Sequence, residues 1–456
     1  MAKEFVGKSV AVVGAGWAGC AAAMELARAG HAVTVFEAAR TLGGRARRVE
    51  REKTVLDNGQ HILLGAYHAT LSLLRRTGVD ASQALLSLPL QMRYPQGSGG
   101  MDFVAPRLPA PLHLAVALWR CGGLARADKL SLARFSSTAR WAGWQLHTDC
   151  SVSELLARWD QSPRLIQLMW RPLCLAALNT APDQASAQVF LNVLRDSLGA
   201  SRSASDMLVP RHDLSRLLPE AAADYVRARG GSIRTGASVK ALRNIEGRLW
   251  QLDISGAAVS GNWSTYFPNV VLATGAAQAA GLLHGIPAHD TSDLCQQLTA
   301  LEHSPITTCY LQYDASVQLE QPFFALLDDP EQQRWGQFVF DRGQLDAQQA
   351  GMLAVVISAA SAAAALPQEA LARAIARQLA ATFPLPALQQ PRWCKVITEK
   401  RATFACTPGL VRPANNTGMG GLLLAGDYTT GDYPATLEGA VRSGLAAARL
   451  ITGGTV

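Results

Sequence analysis

VAVVGAGWAGCAAAMELARAGHAVTVFE, residues 10–37, reads as one unit of strand, glycine turn, helix, strand and acidic terminus. Gly14, Gly16 and Gly19 follow an unbroken apolar strand in GxGxxG spacing. The first glycine permits the tight turn, the second lets the backbone approach a pyrophosphate, and the third lets the helix pack close to the sheet. The helix opening at Trp17 and Ala18 and running to Ala29 would aim its unpaired N–H groups and positive dipole end at that pyrophosphate. Gly30 stops the helix, and Ala32–Phe36 supplies a second parallel strand. Glu37 then lies where a carboxylate can accept hydrogen bonds from ribose hydroxyls. Glycines, helix, strand and acid in register announce a bound dinucleotide. Replacing Glu37 by Ala is expected to weaken its retention and leave the fold largely intact.

The glycine motif does not choose between NAD and FAD. Leu42, Gly43, Gly44 and Arg45 come next, a second flexible approach to phosphate with a guanidinium able to pair with it. Asp57, Asn58, Gly59, Gln60 and His61 form a polar turn that closes on Ile62–Leu64. Downstream, Asp213–Arg229 has the periodicity of an amphipathic helix ending at Gly230 and Gly231. Ser232–Thr235 and the segment from Val239 read as strands, Gly256–Trp263 as a surface hairpin, and Val270–Ala273 as a strand closing on Thr274 and Gly275. Near the end, the apolar strand Leu422–Ala425 leads to Gly426, Asp427 and a closing helix.

Taken in this order, the segments resemble the flavin amine oxidases and carotenoid desaturases. The resemblance implies FAD as cofactor. It puts Gly59 near the flavin, Val239 against the adenine, Gly275 at the return to the cofactor domain, and Gly426 with Asp427 at the ribityl chain. The helix opening at Leu437 and Glu438 would point its N-terminus at the isoalloxazine ring, where a positive helix end stabilises anionic reduced flavin. The implied fold is α/β: a Rossmann-like FAD-binding domain of the glutathione-reductase and amine-oxidase type with an interleaved α+β substrate domain. The cofactor domain would be discontinuous over 1–80, 208–285 and 405–456, and the substrate domain would comprise 81–207 and 286–404.

Composition agrees with two large cores. The chain has 456 residues, 49% hydrophobic and only 17% charged. Its formal charge of +7 is spread over many arginines with no aromatic-interleaved basic stripe, so nucleic acid is not expected as a partner. The densest basic cluster is Arg45, Arg47, Arg48, Arg51 and Lys53. Arg45 is expected to face the cofactor phosphates and the others to form a solvated edge, attraction to an anionic membrane being the alternative. The 8 cysteines show neither CxxC spacing nor histidines at ligand spacing, which predicts no metal and reduced thiols in a cytoplasmic protein. MAKEFVGKS leads straight into the first strand, which argues against a cleavable signal. No window reaches the ~18 uninterrupted apolar residues of a membrane span, so membrane contact would be peripheral, at the inner face of the plasma membrane.

The expected substrate domain is poor in convergent charge. Pro106–Leu118, Trp119, Trp141, Trp144 and Leu168–Asn179 supply apolar and aromatic bulk, enough for a long apolar binding site, and the 106–124 region could rest on a bilayer. DNGQHILLGAY (57–67), PLCLAALNT (172–180), EKRATFACTPG (399–409) and AGDYTTGDYPATLEGAVRSG (425–444) narrow the resemblance to the squalene-associated, FAD-dependent dehydroxylases of bacterial hopanoid synthesis. The last run is also similar to phytoene and zeta-carotene desaturases. What the narrower resemblance implies is reductive dehydroxylation of hydroxysqualene, a long apolar isoprenoid, to squalene, with hydride from reduced FAD. A poor leaving hydroxyl needs a general acid. His61 is the first candidate because its ordinary pKa lets it donate near neutral pH, and Asp57, Asp432 and Tyr433 are the others. One dinucleotide motif leaves the electron donor open between a transient NAD(P)H and a partner protein or quinone. The alternatives are a carotenoid-type desaturase or amine oxidase running the flavin oxidatively, and a prenyl-lipid carrier of the GDP-dissociation-inhibitor type.

Overall fold

The computed structural model describes residues 8–51, 54–256, 261–286 and 291–453. Ser9–Val13 lies third in a five-stranded parallel sheet whose order is Ser232–Thr235, Ala32–Glu37, Ser9–Val13, Asn269–Leu272 and Leu422–Leu424. Val10, Ala11 and Val12 are fully buried, as both faces of a parallel sheet must be when helices cover them. The sheet thus draws strands from three widely separated stretches of chain. Gly14 turns the chain at φ +106°, and a Cβ there would stand 2.5 Å from the Ala273 carbonyl oxygen. This is the close approach the first glycine permits, and the Gly14 N–H donates to Phe36 O at 2.7 Å.

The glycine-loop helix, Trp17–Arg28, is buried over nearly its whole length. It is covered by the C-terminal helix Leu437–Thr452, where a Cβ on Gly444 would meet Ala18 O at 2.1 Å. The two ends of the chain are therefore locked together by a backbone contact that only glycine allows. A three-stranded antiparallel meander, Ala237–Ile245, Leu249–Gly256 and Gly261–Phe267, leans on the same region. Its last two strands pair as the expected hairpin requires, while residues 257–260 lie outside the described ones.

The expected helix over Asp213–Arg229 is two helices, Leu214–Leu217 and Pro219–Arg227. Pro219 has no N–H to continue the first, and Leu218 before it leaves helical geometry at φ −134°. Nor is Arg48 a solvated edge: it pairs with Glu220 at 2.8 Å, while Lys53 and the first seven residues lie outside the described ones.

Opposite the cofactor sheet stands a five-stranded antiparallel sheet in the order Phe323–Ala325, Phe338–Asp341, Met352–Ile357, His303–Gln312 and Trp393–Phe404. Helices between residues 112 and 199 complete that side, with two π-helical turns at Ile166–Trp170 and Arg195–Gly199. Such turns often mark functional positions, and both border the cavity described next. All eight cysteines are free and buried or half-buried; burial, then Glu37, pushes the Cys20 thiol up to about 12. No helix among the described residues is long and apolar enough to cross a membrane.

Candidate active site

A single cavity of about 1230 Å³ runs from the glycine loop into the space between the two sheets. One drug-sized ligand needs ~300–1,000 Å³, so the volume suits a cofactor and a second molecule together. At the cofactor end two glycine turns are stitched to one another. Gly43 N–H donates to Ala15 O at 2.9 Å, and a Cβ on Gly44 would come within 3.1 Å of Gly16 Cα. Gly16 caps the glycine-loop helix with no side-chain hydrogen bond and no acid in its first turn. Gly275 does the same for the helix Ala276–His284, and both helix starts line the cavity. Two N-termini whose N–H groups no side chain satisfies are the donor set that a pyrophosphate requires.

Glu37 lines this end and organises it. Its carboxylate accepts the N–H of Ala15 at 2.7 Å and of Ala39 at 2.8 Å, clamping the glycine loop to the end of the second strand. Arg45, expected to face phosphate, also lines the cavity but is engaged with protein. It donates to Asp427 at 2.5 Å and to Ala402 O at 2.6 Å, tying the second glycine turn to the C-terminal Gly-Asp pair. Asn58 extends the tie, donating to Arg45 O and to Glu399, both at 3.0 Å.

The turn 58–61 stands where the cofactor wall meets the apolar one. His61 Nδ1 lies 2.8 Å from Gly59 O. A carbonyl can only accept, so Nδ1 carries hydrogen and Nε2 is left for a ligand. Burial, with the Arg45 charge adding to it, holds His61 below the ordinary imidazole range against that hydrogen bond. The ring is therefore neutral near pH 7, not the ready donor its ordinary pKa suggested. Tyr433, on the loop before the C-terminal helix, donates to Asp196 at 2.8 Å, and its ring meets Tyr67 edge-on at 6.5 Å. Burial pushes Tyr433 above its ordinary value. Burial also raises Asp196, but hydrogen bonds from Arg195 and Tyr433 outweigh it and hold the carboxylate below its usual range. Much of the remaining wall is apolar and aromatic, including Phe103, Leu118, Phe135, Trp170, Phe190 and Phe340.

Of the residues singled out from sequence, Gly14, Gly16, Trp17, Ala18, Glu37, Gly43, Gly44, Arg45, Gly59 and His61 line the cavity. Val239, Gly275, Gly426, Asp427, Tyr433 and Leu437 line it too. Four others stand outside its wall. A Cβ on Gly19 would strike Gly14 O at 2.0 Å, so this glycine serves packing. Asp57 is buried with its carboxylate accepting the Leu214 N–H at 2.8 Å, and burial raises it to about 7. Asp432 is 69% exposed at the surface. Glu438 is fully buried and accepts the N–H groups of Ala69 and Thr70 at 3.1 and 2.9 Å, capping the helix His68–Arg76 from across the fold. Conversely, Tyr67, Asp196, His303 and Glu399 line the cavity without having been assigned a role. Tyr67 and Glu399 sat inside the quoted runs; Asp196 carries no local signal, because its partner Tyr433 is 237 positions away.

A family profile described as flavin containing amine oxidoreductase matches residues 17–452. The chain belongs to that family: it is an FAD-dependent oxidoreductase, and the uncapped helix starts, glycine turns and Glu37 fit the cofactor. It is 32% identical to the hydroxysqualene dehydroxylase of Rhodopseudomonas palustris over 97% of this chain and 98% of that one. It is 25% identical to the zeta-carotene desaturase of Synechocystis, over 97% of this chain and 96% of the relative. Among solved structures, cyclohexylamine oxidase from Brevibacterium oxydans shares the fold at a TM-score of 0.69, with 19% identity and 98% of each chain covered.

Proposed function

We propose that the chain removes the allylic hydroxyl of hydroxysqualene reductively, giving squalene, a reading supported by its 32% identity to a hydroxysqualene dehydroxylase. The observation that carries this reading is the continuity of the cavity: an FAD cradle at one end opens directly into an aromatic and aliphatic wall large enough for a long hydrocarbon. A hydrocarbon offers a site no polar anchor except its hydroxyl, and the polar groups at the junction are few. When bound, reduced FAD supplies the hydride that the allylic carbon must gain.

The chain's own residues then have three tasks. The apolar wall excludes water and fixes the hydrocarbon so that its one polar carbon lies at the junction. His61 holds the hydroxyl: with Nδ1–H fixed on Gly59 O, Nε2 accepts from the substrate O–H when neutral. Protonated at Nε2, the ring donates that proton to the oxygen; the C–O bond breaks with its electron pair on oxygen and water leaves. The burial that makes the imidazolium scarce also makes it a stronger acid, which a poor leaving group needs. Tyr67, which lines the cavity, is the ring able to stabilise the developing allylic cation, since the ring of Tyr433 already carries the Arg442 guanidinium at 4.4 Å. Asp57 and Asp432, outside the wall, have no part in this step; Tyr433 already donates to Asp196.

In this reading residues 1–80, 208–285 and 405–456 hold the cofactor, and 81–207 with 286–404 hold the substrate. Electrons reach the flavin from NAD(P)H binding transiently or from a partner protein. The 25% identity to a zeta-carotene desaturase supports one competing reading, in which the flavin is run oxidatively on a polyene precursor. Anaerobic incubation of the photoreduced holoprotein with hydroxysqualene, followed by mass analysis of the extract, separates them. Squalene formed in step with flavin reoxidation is the expected result. A flavin that stays reduced with no squalene formed, together with desaturation of phytoene by the oxidised enzyme, overturns it.

A further inference from the structure

Ten large apolar side chains stand exposed among the described residues, and five of them, Leu108, Leu112, Trp119, Leu130 and Trp141, fall within one short stretch. Trp119 is 76% and Trp141 91% exposed, an unusual placement for the costliest side chain to leave in water. They sit on two neighbouring helices, Leu112–Arg120 and Arg126–Trp141, joined where Lys129 Nζ donates to Trp119 O at 2.9 Å. Leu112, Ala115 and Trp119 recur at the spacing of one helix face; so do Leu130, Ala133, Ser137 and Trp141 on the second. Each helix therefore turns an apolar stripe outward as well as one inward.

Two further observations say what covers these stripes. Ala115, Ala133, Ser137 and Arg140 are at once exposed and part of the cavity lining, so the mouth of the cavity opens between these two helices. The rim is cationic as well: Arg107, Arg120, Arg126 and Arg140 are exposed, while Arg134 is paired with Asp160 at 3.0 Å. The sole acid between residues 107 and 141 is Asp128, buried and accepting from Ala125 N–H and Ser162 Oγ. A second copy of the chain would set this cationic rim against itself across a two-fold axis. A bilayer with anionic headgroups complements both the charge and the apolar stripes.

We infer that the face formed by these two helices docks on an anionic phospholipid membrane and that the cavity loads its apolar ligand from the bilayer. The docking half stands on exposure and charge alone; the loading half rests on the apolar substrate proposed above. The FAD-loaded full chain is mixed with phosphatidylcholine vesicles, with or without one quarter phosphatidylglycerol, and separated by flotation without substrate, so that the outcome is independent of which reaction the enzyme catalyses. Binding is expected only with the anionic lipid, and it should fall as salt rises to 0.5 M. The double variant Trp119→Ser/Trp141→Ser should bind about tenfold or more weakly, and Arg120→Gln/Arg126→Gln weaker by about fivefold per charge. Trp393→Ser, exposed elsewhere, should bind as the parent does. Unchanged flavin content and melting temperature show that the variants fold. Two results overturn the inference: anionic vesicles that do not float the parent, or a Trp119/Trp141 variant that floats equally well. A parent that is a dimer in light scattering and becomes a monomer in the double variant also overturns it, by assigning the face to a second copy.

Discussion

Glu37 was expected from sequence to hold ribose and to matter little to the fold, and its hydrogen bonds give a different expectation. In Glu37→Ala the N–H groups of Ala15 and Ala39 lose a charged acceptor at 2.7 and 2.8 Å. Each such bond contributes roughly 1.5–3 kcal/mol when buried, and the half-buried position reduces that toward the lower figure. The apoprotein should therefore lose about 2–4 kcal/mol, a drop in melting temperature of roughly 2–4 °C at ~1 °C per kcal/mol for a chain of this length. Glu37→Gln keeps one oxygen able to serve only one of the two N–H groups, and should lose about half as much. FAD affinity should fall in both, by about tenfold in Gln and about a hundredfold in Ala, because the loop that presents N–H groups to pyrophosphate loosens and the ribose contact expected of Glu37 is removed. The assay is calorimetry of flavin-stripped protein alongside FAD titration by fluorescence. An Ala variant whose apoprotein melts with the parent would refute the clamp, and one destabilised as stated but binding FAD undiminished would refute the cofactor contact.

Three other outcomes are expected. Asp57 takes up protons on folding, because its folded value of about 7 lies above the ~3.9 of an unfolded chain; stability from this group is complete only below about pH 4 and is lost as pH rises from there through 7. Asp57→Asn, which keeps the acceptor for Leu214 N–H, should remove roughly 4 kcal/mol of that pH dependence in urea melts; parallel wild-type and variant profiles would show that the carboxyl is ionised throughout. In the proposed reaction the imidazolium of His61 is the active form, and its folded pKa is lowered, so single-turnover flavin reoxidation should be fastest below that value and fall about tenfold per pH unit above it. In His61→Gln the slope should vanish and the rate drop about a hundredfold; a flat wild-type profile from pH 5 to 8 removes His61 from the step. Gly19→Ala places a Cβ 2.0 Å from Gly14 O, a backbone atom that cannot swing away, so about 3 kcal/mol or more of stability and most of the bound flavin should be lost. A stable yellow variant would contradict this packing.

The segments read correctly from sequence are those whose function is local. The glycine turns, the helix that follows and the strand ending at Glu37 occupy one continuous stretch, and their geometry is dictated by missing side chains and by hydrogen-bond periodicity. The same local reasoning erred at Asp213–Arg229, where apolar spacing outvoted the one residue, Pro219, that breaks the helix. It also assigned Asp57 and Glu438 to the site from their neighbours in sequence. Both carboxylates turn away to satisfy N–H groups of other helices, Leu214 in one case and Ala69 with Thr70 in the other.

By itself, then, the sequence determined that a dinucleotide is held, on what kind of sheet, and where the glycine turns form, because each of those constraints acts within a few residues. Only the tertiary structure decided which polar groups face the cavity. Arg45 meets Asp427 across 382 positions, and Tyr433 meets Asp196 across 237. Such meetings follow from how two sheets and two chain ends pack, and no periodicity in the chain encodes them. The pKa values that set the chemistry belong to the same level, since the burial that holds His61 below the ordinary imidazole range and carries Asp57 to about 7 exists only once the surrounding chain has closed over them.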